Sequence, residues 1–64
     1  MIKWAVRYGN YFSVYSSEAV AKRIAQGFGT QPIKVRGMED AGGISYSRIL
    51  GKIGHHWYVR CEDG

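Results

Sequence analysis

The residues able to do covalent chemistry are few: one cysteine, Cys61, two histidines, His55 and His56, and five carboxylates. A nucleophile needs its base within hydrogen-bond reach. On the strand expected over His55–Cys61 the two ends lie roughly 20 Å apart, at about 3.3 Å per residue, so His55 and Cys61 form no dyad. A regular strand sends His55 and His56 to opposite faces, which removes a two-histidine clamp. A structural zinc site wants four Cys and His ligands in paired spacings, and this chain has three such residues. Cys61 reads as a small core residue.

The carboxylates and glycines fare no better. Glu39-Asp40 and Glu62-Asp63 are adjacent residues in a flexible connection and a tail expected to fray, so they read as solvated charge. Gly27-Phe28-Gly29-Thr30-Gln31-Pro32 lacks the third glycine of a dinucleotide fingerprint and does not open a helix. Gly51-Lys52-Ile53-Gly54 has neither the spacing nor the Ser or Thr of a phosphate loop, and Gly43-Ile44-Ser45-Tyr46-Ser47 ends in Ser where a nucleophile elbow needs Gly. No catalytic, metal or cofactor site is expected. The sequence points to a binding protein that is not an enzyme.

The elements that must carry the binding residues follow from periodicity. Ile and Val together number 11 against one Leu, a balance that favours strands. Ile2–Tyr8 alternates, with Ile2, Trp4, Val6 and Tyr8 on one side and Lys3, Ala5 and Arg7 on the other. A turn at Gly9-Asn10 returns the chain into Tyr11–Tyr15. A three-residue loop, Gly9–Tyr11 with a bulge, puts Phe12 and Val14 beside Trp4 and Val6. A two-residue loop would turn both away from that side, so the bulged loop is the expectation. Lys3, Arg7, Tyr11, Ser13 and Tyr15 then share the other face.

Ser16 or Ser17 caps a helix expected over Ser17–Gln26, with Glu18 in its first turn and Val20, Ile24 and Phe28 as the inward stripe beside Ala21 and Ala25. After Pro32 a strand points Ile33 and Val35 inward and Lys34 and Arg36 outward, followed by a connection over Gly37–Gly43. A closing hairpin joins Ile44–Leu50 to His55–Cys61 around Gly51–Gly54. In it Trp57 and Val59 face the core and His56, Tyr58 and Arg60 face out, while the inward side of Ile44–Leu50 stays open. The expected fold is a single α+β domain over residues 1–64: a small single-layer antiparallel sheet in the order β-β-α-β-β-β with one helix on one face.

Charge placement then carries the functional reading. Nine Lys and Arg against five Asp and Glu give a formal net charge of +4. Lys3, Arg7, Lys34, Arg36, Arg48 and Arg60 fall in expected strands, while Glu39, Asp40, Glu62 and Asp63 fall in the connection and the tail. One sheet face should be basic, with Tyr11, Tyr15 and Tyr58 interleaved as stacking platforms. Cations beside aromatic rings are what binds nucleic acid, single strands favoured, through phosphate neutralisation and base stacking.

A tiny α/β domain with a basic, aromatic-bearing face and no active site is similar in size and layout to the small host-takeover proteins of bacteriophages. These include inhibitors of bacterial defence complexes, such as CRISPR complexes, and of RNA polymerase. The resemblance implies the alternative reading, inhibition by protein–protein binding at a nucleic-acid-handling complex. Exposed Tyr and Arg dominate such interfaces. A third expectation is self-association, because a chain this short supports only a small core, and a homodimer burying Tyr8, Ile44, Leu50 or Ile53 would extend it.

The setting expected is a reducing cytoplasm, since a lone cysteine makes no intrachain bridge and residues 1–7 alternate charge with apolar side chains instead of forming a signal sequence. Apolar runs such as Trp57-Tyr58-Val59 fall far short of the roughly 20 residues of a membrane-spanning helix, so no membrane partner is expected.

Overall fold

The structure, a computed structural model, describes residues 1–61; Glu62 and Asp63 of the expected tail lie outside the described residues. In chain order the elements are β1 (Ile2–Tyr8), β2 (Tyr11–Tyr15), α1 (Glu18–Gly27), β3 (Ile33–Met38), a 3-10 turn (Tyr46–Arg48), β4 (Ile49–Ile53) and β5 (His56–Arg60). All strand pairs are antiparallel, in one sheet of order β2-β1-β3-β5-β4. The α+β class and the element order expected from the alternation are those observed.

The first hairpin is tighter than expected. Tyr8 pairs with Tyr11, so the loop is Gly9-Asn10 alone. Gly9 has φ 60°, and among the described residues no non-glycine residue has positive φ. A single positive angle at the first loop position is the type II′ arrangement, whose twist matches that of the strands. The bulged loop is therefore wrong, and Phe12 and Val14 face away from Trp4 and Val6.

They are not wasted, because that second face is also a core. The sheet curls until its two edges meet: a Cβ built on Gly51 of β4 would lie 2.8 Å from Phe12 Cε1 of β2. Only a glycine admits the ring there. Phe12 also meets Tyr58 edge-on, with ring centroids 6.3 Å apart. Ala5, Val35 and Tyr58 are buried on this concave face, with Phe12, Val14, Ile33 and Leu50 packed around them.

The helix lies on the convex face. Ser17 caps it, its side chain accepting from the Val20 N–H at 3.3 Å. At the far end the Thr30 and Gly29 N–H groups donate to the Ala25 and Gln26 carbonyls, a Schellman-type stop. The buried stripe is narrower than expected. Ala21 and Ala25 are fully buried against Val6, with Ile24, Trp4 and Tyr15 around them, whereas Val20 and Phe28 are 44 % and 56 % exposed. Two alanines let the helix approach closely, and the larger residues are left on its flank.

The second hairpin is also shifted. The expected strand Ile44–Leu50 does not form; β4 starts at Ile49 after the 3-10 turn and runs through Gly51 and Lys52 to Ile53. Ile53 pairs with His56, so Gly54-His55 is the turn. Arg48 consequently sits in the turn and not in a strand.

Candidate nucleic-acid interface

A helix is about 10 Å wide, and five strands at about 4.8 Å spacing span about 19 Å. One helix cannot cover the convex face. α1 packs on β1 and β2, which leaves the half of that face formed by β3, β5 and β4. The β1–β3 register pairs Trp4 with Lys34 and Ile2 with Arg36. The β3–β5 register sets Arg36 beside Val59 and Met38 beside Trp57. Since paired residues share a face, Lys34 and Arg36 project from the half that the helix does not cover, next to Trp4; there Val59 is only 2 % exposed, with Ile44 and Arg48 beside it.

Two clefts flank these cations. The first is an open groove of about 710 Å³ between the helix and the approach to β3, lined by Trp4, Lys22, Gln26, Thr30, Gln31 and Pro32 together with Glu18 and Gly29. Half-buried Trp4 offers its ring there. Glu18, the one acid in the lining, is bridged to Lys22 at 3.8 Å. The second cleft, about 370 Å³, has Arg36 and Arg48 over Met38, Ile44, Val59 and Cys61. Arg48 is oriented by donating from Nη2 to the Arg60 carbonyl oxygen at 3.1 Å. Among the described residues no Asp or Glu lines this cleft. The Cys61 N–H donates to the Lys34 carbonyl at 3.0 Å, continuing the β3–β5 pairing and setting Cys61 beside Lys34.

The remaining expected site residues are dispersed. Lys3 and Arg7 share the concave face with Ala5; Lys3 Nζ donates to Ser16 Oγ at 2.6 Å, and Arg7 lines a separate cavity with Asp40, Tyr46 and Trp57. Tyr58 is 8 % exposed, at the centre of the concave core, and cannot stack on a base. Arg60 pairs with Val35, so its side chain falls on the concave side and only its backbone serves the second cleft. Tyr15 is on the helix side, half-buried, its hydroxyl accepting from Ser13 Oγ at 2.9 Å. Tyr11 is also on the helix side and 72 % exposed. The single basic sheet face expected from the sequence therefore does not exist: Lys34, Arg36 and Arg48 come together, and Lys3, Arg7, Tyr58 and the Arg60 side chain do not join them.

Two aromatic features were missed. Trp4 packs against the helix-side core, as expected, and also lines the groove. Tyr8 stacks on Phe28 with centroids 5.1 Å apart and on Tyr11 at 6.3 Å, forming an exposed three-ring ladder beyond the end of the helix. A helix narrower than the sheet already implies a groove beside Trp4, whereas the ladder depends on the tight hairpin.

Among the described residues no group of three or more His, Cys, Asp or Glu converges to hold a metal ion, and no helix is long and apolar enough to cross a membrane. Comparison with known protein families, curated proteins and solved structures finds no match to this chain.

Proposed function

We propose that the protein binds single-stranded nucleic acid, without catalysis, on the half of the convex face that the helix does not cover. The observation that carries this reading is the juxtaposition of Lys34 and Arg36 with the half-exposed Trp4, between a groove and a cleft that hold Lys22 and Arg48. Lys34 and Arg36 would take phosphates, and Trp4 would stack on a base, a contact worth about 1–3 kcal/mol. A single strand suits this surface better than a duplex, because stacking on Trp4 takes an unpaired base. Two of the acids are engaged elsewhere: Asp40 accepts from the Gly42 N–H within its own loop at 2.9 Å, and Glu18 is bridged to Lys22. We place the activity in the reducing cytoplasm, where such a ligand and a free thiol coexist.

The test is fluorescence-polarisation titration of labelled single- and double-stranded oligonucleotides at several salt concentrations. Two or three neutralised phosphates predict a logarithmic salt slope of roughly −1.5 to −2 for a single strand, since each contributes about −0.7. Quenching of tryptophan fluorescence on binding would place a base at Trp4. No binding at low salt would overturn the reading and redirect the cleft to an acidic protein partner.

A further inference from the structure

We propose that the groove beside Trp4 is a base-reading subsite that selects adenine, an inference that rests on the single-strand binding proposed above. The groove, about 710 Å³, lies in the size range of small-molecule sites. Each of its two walls presents one primary amide: Gln26 from the last turn of α1 and Gln31 from the approach to β3. Both residues are exposed, and neither side chain hydrogen-bonds to another described residue.

The backbone joining the two walls is fixed. The Gly29 and Thr30 N–H groups donate to the Gln26 and Ala25 carbonyls at 3.2 and 3.0 Å, which ties the approach to the end of the helix. Pro32 then biases Gln31, the residue before it, toward extended backbone. Trp4 is half-buried against the cluster of Val6, Ala21 and Ala25, so its ring is held by the core while it lines the groove. The two amides thus stand on elements whose separation is set before a ligand arrives.

Hydrogen-bond chemistry then selects the base. A primary amide donates from its nitrogen and accepts at its oxygen, so it pairs with a base edge that sets a donor beside an acceptor. Adenine has two such edges that share the N6 amine, N6–H beside N1 and N6–H beside N7. Its two N6 hydrogens let Gln26 and Gln31 pair with it together, one on each edge. Cytosine has one such edge and thymine a single N3–H to donate, so each takes one amide. Guanine sets O6 between N1–H and the acceptor N7, and its other suitable pair, N2–H with N3, lies against its own sugar. The lining also contains Glu18, a carboxylate suited to guanine's N1–H and N2–H, but Glu18 is bridged to Lys22 at 3.8 Å.

Fluorescence polarisation of labelled thymidine pentanucleotides whose central base is adenine, cytosine, guanine or thymine tests the selection. The adenine strand should bind about tenfold more tightly than the others, one bidentate amide contact being worth roughly that factor. Gln26→Ala and Gln31→Ala, both at exposed positions, should each bring the ratio of adenine to cytosine affinity close to one, since adenine then has no more partners than cytosine. Adenosine monophosphate should bind at least about tenfold more weakly than the adenine strand, because it brings one phosphate where the strand brings several. Equal affinity for all four strands overturns the inference and leaves strand binding standing. So does an adenine preference that survives both substitutions, or a guanine preference that Glu18→Gln removes. A monophosphate that binds as tightly as the strand also overturns it and assigns the groove to a free nucleotide. Failure of every strand to bind at low salt overturns the underlying reading, and this inference with it.

Discussion

On the concave face, the sheet closes on itself: Phe12 reaches from one edge strand to Gly51 in the other, and Ala5, Val35 and Tyr58 are sealed beneath. On the convex face, the seal is partial, because the helix docks through two alanines and a few half-buried neighbours and then runs out of width. The difference separates two jobs. The centre of the concave face is occupied by folding, and its cations Lys3, Arg7 and Arg60 lie around that core. The convex face keeps enough of the helix interface for stability and leaves Lys34, Arg36 and Trp4 available.

Perturbing the concave closure should have the largest effects. Phe12→Ala removes the ring that joins the edges and should destabilise the protein by about 3 kcal/mol, the low end for an aromatic truncation because the ring is half-buried. Urea denaturation measures it; a loss below ~1 kcal/mol would mean that the edges do not depend on each other. Gly51→Val pushes against the same ring from the opposite side and should cost about 2 kcal/mol through overpacking. The pair Phe12→Ala with Gly51→Val should then cost less than the sum of the two single changes, because they share one space.

Changes on the helix side should be smaller and local. Ser17→Ala removes the cap and should cost about 1 kcal/mol. Hydrogen exchange should accelerate at Ala21 and Ala25 more than at Val35 and Tyr58. Uniform acceleration would show that the two layers unfold as one unit. Tyr46→Ala, at a side chain 92 % exposed, should shift stability by less than ~0.5 kcal/mol.

The course of the chain was legible because each element carries a local signal: alternation in Ile2–Tyr8, the Ser17 cap, the alternating Ile33–Arg36. What escaped was set by distant contacts. A two-residue loop at Gly9-Asn10 looks unfavourable until the far face is known to be a core, and that depends on Phe12 meeting Gly51 across the whole sheet. Gly51, expected in the turn, lies in β4, where its missing Cβ leaves room for the Phe12 ring. Tyr58 was read as exposed because alternation assigns sides but cannot say that both sides are buried. For the site, Lys34, Arg36 and Arg48 were legible as charges, but their separation from Lys3 and Arg7 follows from the corrected faces.

The most direct test compares two double charge reversals that differ only in the face they alter. Binding of a labelled single-stranded oligonucleotide should weaken about a hundredfold for Lys34→Glu with Arg36→Glu, at roughly tenfold per lost phosphate contact, with the salt slope falling by about 1 or more. Lys3→Glu with Arg7→Glu, which changes net charge equally, should weaken it far less. Equal losses from the two variants would contradict the account, because they would mean that total charge, and not the uncovered half of the convex face, governs recognition.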